Sequence, residues 1–167
     1  VVVAQEDGSI EDPKPEDLYS YGTLAQVLKV FDMPDNSKSA IVQGISRVKI
    51  TKYLQKDPYF TVSISLLEDE KLKDPLEVDA LTTNLKQSFE ELMKVAPNLT
   101  EEHSGMLKNI QKPNRLTDRA ISVITISNQE KQEILEELNI KARIEKALNL
   151  ISREIQRIKL GEEIQSE

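Results

Sequence analysis

The stretch YGTLAQVLKVFDMPDNSKSAIVQGISRVKITKYLQKDPYFTVSISLL, residues 21–67, decides the reading of this chain. It divides into three extended runs: Gly22–Met33, Ser39–Leu54 and Tyr59–Leu67. The joins, Pro34-Asp35-Asn36-Ser37 and Lys56-Asp57-Pro58, are rich in residues that set turn dihedrals. Three strands joined by short turns make an antiparallel meander. In the first run apolar residues fall on both faces, Leu24, Leu28 and Val30 against Ala25, Val27 and Phe31, so a buried central strand or a curved sheet is expected. In the second run the apolar positions change phase, odd at Ile41 and Ile45 but even at Val48 and Ile50. Period-two alternation cannot change phase without an extra residue, so a β-bulge is expected near Gly44–Arg47, with Gly44 relieving the backbone. The third run alternates cleanly, placing Phe60, Val62, Ile64 and Leu66 inward. A bulged, bent meander predicts a barrel-like sheet.

Before the meander, Val1–Ala4 reads as a buried strand already under way, with its true start upstream. The loop from Glu6 to Asp17 carries two prolines, one glycine and six carboxylates, and reads as a solvated acidic connection. Its carboxylates lack the alternating spacing and terminal glutamate of an EF-hand calcium loop. After the meander, Glu68–Pro75 is a charged linker that separates an expected β-rich subdomain, residues 1–75, from a helical one, 76–167.

From Leu76 the apolar period becomes helical. Ala80, Leu81, Leu85, Phe89, Leu92 and Met93 mark a helix that stops before Pro97. Thr100 caps a second, which Pro113 ends, and a third spans about Arg115–Ile124. Ser127-Asn128-Gln129-Glu130 is a capping box that opens a fourth, with Ile134, Leu135 and Leu138 inward. The last helix is expected over Ile140–Leu160. Its stripe includes Ile144, Ile151, Ile155 and Ile158, and the spacing of seven allows pairing with another subunit or module.

Composition excludes several function classes. The net charge is −7, its acidity runs through both halves, and no basic face is available to neutralise phosphates, so nucleic acid is not an expected partner. The absence of cysteine removes disulfides, thiolate metal sites and cysteine nucleophiles. No apolar run approaches the ~20 residues of a membrane span. The five glycines are isolated from one another, so neither a phosphate-binding loop nor a dinucleotide fingerprint can be assembled. His103, the one histidine, stands beside Glu101 and Glu102 at a helix start, with nothing to position a serine for it. No catalytic, metal or cofactor residue is expected. What the pattern does support is polypeptide contact. Tyr53 and Tyr59 flank the Lys56-Asp57-Pro58 turn, and two aromatics at a hairpin tip offer rigid contact surface. A simple cross-strand pair stabilising the hairpin is the plainer reading of the same two rings.

Read together, DLYSYGTLA (17–25), MPDN (33–36), IVQGISRVKI (41–50), PNRLTD (113–118), QEKQEILE (129–136), ARIEKAL (142–148) and ISREI (151–155) resemble the N-terminal domain of the ATP-dependent Lon proteases, in order and over nearly the whole chain. The resemblance implies an α+β fold, a PUA-like bent antiparallel β pseudo-barrel followed by a helical bundle whose long C-terminal helix leads towards an ATPase module. It implies a non-catalytic role in recognising unfolded, damaged or degron-bearing proteins and in hexamer assembly, within bacterial cytoplasmic quality control. ATP, magnesium and the serine protease centre would belong to parts of the parent outside these residues. It also implies that the family's apolar opening strand and first helix precede Val1. One departure is Arg119-Ala120-Ile121-Ser122, where the family carries an apolar stretch. A purely structural oligomerisation module is the alternative.

Overall fold

A computed structural model describes residues 1–166. The chain divides between Glu68 and Asp69 into two compact units, one of strands and one of helices. Residues 69–74 thus belong with the helices.

The first unit is an antiparallel sheet in the order β1 (Tyr21–Asp32), β2 (Lys38–Gln55), β3 (Thr61–Leu67). Asn36 makes the first turn: its φ of 63° is a conformation that asparagine tolerates well. Asp35 Oδ1 accepts from Ser37 N at 2.9 Å and from Ser37 Oγ at 2.6 Å, which holds that carboxyl below its usual range. The expected bulge is present. Leu24 pairs with Ser46 and Ala25 with Gly44, which leaves Ile45 as the extra residue. Gly44 is not what permits it, because its φ is not positive and an added Cβ would meet only Thr23 Cγ2 at 3.4 Å. Further register shifts leave out Leu28 on β1, and Thr51 and Leu54 on β2.

Burial departs from the sequence expectation. The central strand is β2, not the first run, and its Val48 and Ile50 are the unit's buried apolar side chains. Beyond Ala25, β1 is exposed along its length. Leu66, expected inside, is 65% exposed, and Phe60 is 39% exposed. Alternation assigns a residue to a face, but only a second layer buries that face. Val1–Ala4 likewise pairs with the segment 19–23, through the Val2–Thr23 bridge and the bond from Tyr19 N to Ala4 O at 3.0 Å, with Val1 and Val2 exposed. The two hydrogen bonds of that bridge, 2.8 and 2.9 Å, bring Val2 against Gly22, where a Cβ would collide with Val2 O. This is the glycine the sheet needs.

The second unit holds α1 (Pro75–Val95), α2 (Glu101–Lys108), α3 (Pro113–Val123), α4 (Asn128–Glu136) and α5 (Ile140–Ser166). Pro75 and Pro113 sit in first turns, where a missing N–H costs nothing. Asp74 Oδ1 caps α1 by accepting from Glu77 N at 3.1 Å. The capping box of α4 forms as expected: Glu130 N donates to Ser127 Oγ at 3.2 Å and Ser127 N to Glu130 Oε2 at 3.0 Å. Val78, Leu85, Phe89 and Leu92 of α1 pack with Leu116, Ala120, Ile121, Ile134, Ile144, Ala147 and Ile151 in one continuous core. Val78 takes the place expected for Ala80, which is exposed. At the Arg119–Ser122 departure, Ala120 and Ile121 face the core while Arg119 and Ser122 face out.

Candidate functional site

Among the described residues no three His, Asp or Glu side chains gather to hold a metal ion. His103 Nδ1 accepts from Thr100 N at 3.1 Å, so the ring closes a helix start. A cleft of about 170 Å³ in the helical unit is lined by Leu72, Val78 and Ile140 and rimmed by the Lys141–Glu77 pair at 2.6 Å. Among the described residues, no helix is long and apolar enough to cross a membrane.

What the β unit does present is apolar surface. Val27, opposite Val42 in the register, Leu28, Val30, Ile41 and Ile45 are each at least 45% exposed, and Phe31 and Met33 are more than a third exposed. Lys29 Nζ sits 4.8 Å from the centre of the Phe31 ring, so one cation lies on this apolar ground. Val30 and Phe31 are neighbours on β1 and point to opposite faces, so both faces of the hairpin carry exposed apolar side chains, the kind of surface that commonly meets a partner.

The tip residues Tyr53 and Tyr59 are not a matched pair. Tyr53 is half-buried and packs edge-on against Phe60, with centroids 5.6 Å apart and planes at 82°. Burial there pushes its hydroxyl pKa up. Tyr59 is 68% exposed and lies in the turn ahead of β3. Leu54, the residue left out of the register between Tyr53 and Gln55, interrupts the alternation between the two rings.

On α5, Ile144 and Ile151 are fully buried in the core, and Ile155 and Ile158 pack partly against it. Their spacing of seven serves the bundle, and pairing with another subunit through Ile144 or Ile151 would require the bundle to open. Farther along, Leu160 and Ile164 are exposed. Two buried charges escaped the sequence reading. Arg143 is 0% exposed, and Glu154 is 7% exposed and receives both Nε and Nη2 of Arg157, at 2.8 and 2.6 Å. Arg143 could have been found: it falls three residues after Ile140 and four before Ala147, within the buried stripe.

The model of the ATP-dependent protease La (LON) substrate-binding domain matches residues 1–153. This chain belongs to that Lon family. Lon protease of Brevibacillus choshinensis is 36% identical over 98% of the chain, and that of Anaeromyxobacter dehalogenans 34% over 99%. The chain spans about a fifth of the length of these relatives, 21% and 20%. The fold is shared with the N terminal domain of Mycobacterium avium complex Lon protease, with a TM-score of 0.68 at 18% identity over 90% of this chain and 89% of that one. A Lon N-terminal domain protein from Xanthomonas campestris matches with a TM-score of 0.53 over 82% of this chain and 71% of its own. The α+β architecture of a three-stranded sheet followed by five helices is therefore that of Lon N-terminal domains.

Proposed function

We propose that this chain is the non-catalytic, substrate-recognising part of a Lon-type ATP-dependent serine protease acting in cytoplasmic quality control. Its exposed β1–β2 hairpin takes up extended apolar segments of unfolded or damaged proteins. The observation that carries this reading is the exposure of Val27, Leu28, Val30, Phe31 and Ile41 on the β1–β2 hairpin, in a chain that belongs to a substrate-binding family. Apolar segments are buried in native proteins and shown by unfolded ones, so an open apolar surface discriminates between the two by area alone. ATP, magnesium and the protease centre belong to the remaining four fifths or so of the parent, by analogy with relatives of that length.

The test is a titration of fluorescently labelled, permanently unfolded polypeptide into the wild-type chain. Replacing Val30 and Phe31 together by Ser removes an apolar anchor from each face of the hairpin and is expected to weaken binding about tenfold. Tyr59→Ser should weaken it less, and Tyr53→Ser less again, because the Tyr53 ring already packs on Phe60. Unchanged affinity in the Val30/Phe31 variant would remove the hairpin from the reading. A second role, supporting assembly of a hexameric parent, is favoured by the exposure of Leu160 and Ile164 on α5. Sedimentation of the chain should then show self-association that Leu160→Ser with Ile164→Ser abolishes. A monomer at all concentrations would count against it.

A further inference from the structure

The polar cluster around Arg143 lies at the start of α5, within the helical unit, and joins segments that are far apart in sequence. The Arg143 guanidinium is fully buried. Its Nε donates to Glu137 O at 2.7 Å, in the connection between α4 and α5. Its Nη2 is paired with Asp69, and its Nη1, which has no hydrogen bond, lies 3.9 Å from Asp118 Oδ1 on α3. Asp69 uses its other oxygen to accept from Asn114 Nδ2 at 2.9 Å. Beside it, Glu70 N donates to Leu138 O at 2.9 Å, and Asn139 Nδ2 donates to Glu70 Oε2 at 2.8 Å.

We propose that Arg143 is a latch that fastens the segment following Glu68 to the start of α5, so that residues 69–74 and α5 move as one piece. A buried guanidinium is a poor choice for stability alone. Taking it out of water is costly, and well-packed apolar residues of similar size often do as well or better. A guanidinium does what neither Met nor Lys can: its planar fork donates in fixed directions, here to Glu137 O and to Asp69 at once, while Nη1 keeps its charge near Asp118. The segment is held at Asp69 and Glu70 by this pair and by the Asn114, Leu138 and Asn139 hydrogen bonds, while the residues after it are open to water. Leu72 is 44% exposed, and Lys71, Lys73 and Asp74 are exposed as well. The stretch with the composition of a linker is therefore docked to the helical unit through Asp69 and Glu70. This holds whatever the β unit binds.

The test combines amide hydrogen exchange with limited trypsin digestion of the full chain. In wild type, Glu70 N should be protected and Lys71 and Lys73 should be cut slowly. Arg143→Met is expected to raise exchange at Glu70 roughly a hundredfold and cutting at Lys71 and Lys73 roughly tenfold, as local opening does, while α1 amides keep their protection. Arg143→Lys should not rescue the latch, because its point charge cannot replace the fork. Should Arg143→Met fail to fold, Asp69→Asn decides, since it weakens the same pair from a partly exposed position. The latch is overturned if Asp69→Asn leaves Glu70 exchange and Lys71/Lys73 cutting unchanged. It is equally overturned if exchange at Glu70 and in α1 rises by the same factor, for then the pair serves only global stability.

Discussion

On α1, Leu85, Phe89 and Leu92 stand one turn apart and are each 2% exposed or less; on β1, Val27, Val30 and Phe31 follow one another and are each 38% exposed or more. The side chains are equally apolar, so apolarity does not explain the difference. A helix with one apolar stripe closes that stripe against neighbours, and four other helices of this unit supply them. A two-stranded hairpin has two faces and needs a further layer to cover either of them. In the β unit, β3 pairs with β2 from Arg47 to Gln55, while β2 faces β1 alone over Lys38–Ser46. The helical unit thus spends its apolar residues on its own stability. The β unit keeps a large share of its own in water, where they are available to a partner.

The sharpest way to break this comparison is to make one substitution in both places. Phe89→Ala should destabilise the helical unit by about 3–5 kcal/mol, the usual cost of a large core truncation. Phe31→Ala should change stability by less than about 0.5 kcal/mol, as an exposed substitution does. Urea denaturation followed by helical circular dichroism for the first, and by hydrogen exchange of β2 amides for the second, reads both. Equal losses would mean that the β1 surface is covered in solution and is no docking surface.

How far the sequence disclosed this contrast follows from the physics of each element. The helices were legible because a 3.6-residue stripe identifies both the element and its buried face; Leu85, Phe89 and Leu92 needed nothing else. The bulge at Ile45 was legible because a phase change in alternation has one local cause. The shifts at Leu28, Thr51 and Leu54 were not, since Val, Leu and Tyr on both faces hide any change of phase. Depth of burial on β1 was illegible in principle, because alternation says nothing about what lies over a face. Arg143 was hidden by its charge, which argues for solvent until its place in the Ile140–Ala147 stripe is noticed. As for Tyr53 and Tyr59, the sequence put both at the tip, but the Tyr53–Phe60 contact depends on register shifts that it does not announce.

A smaller effect tests what orders the β unit, given how little side-chain core it has. Gly22→Ala places a methyl against Val2 O and within 3.2 Å of a Val3 methyl. Backbone cannot yield as a flexible side chain would, so the Val2–Thr23 bridge should open, at about 1–3 kcal/mol. The reading is the Thr23 amide, which donates to Val2 O at 2.9 Å and should lose its exchange protection. Retained protection at Thr23 would show that the bridge accommodates the methyl and that the pairing does not depend on glycine at position 22. Phe89→Ala and Gly22→Ala then separate a unit held by packing from one held by backbone pairing.

The smallest expected difference is in acid. Three carboxylates of the helical unit are held below the ordinary glutamate range. In Glu154 the cause is the paired Arg157, in Glu137 the hydrogen bond from Lys146, and in Glu130 first the Ser127 backbone N–H and then Arg153. A carboxyl whose folded pKa lies below its unfolded one binds its proton more readily in the unfolded chain. Its stabilisation is therefore complete above the unfolded value and is lost as pH falls through the folded one. The helical unit's urea midpoint should stay level from neutral pH down to the ordinary glutamate range and decline below it. Each of the three pairs is partly open to water, which keeps the decline shallow. Glu154→Gln should flatten part of that decline while leaving the Glu130 and Glu137 contributions in place. The β unit's counterparts, Asp7 and Asp35, are lowered by Ser9 and Ser37 within exposed turns and carry no packing with them. Exchange protection at Thr23 should accordingly change less over the same interval than protection in α4. If acid opened the sheet before the helices, side-chain pairing would matter more in the β unit than its exposed surface implies.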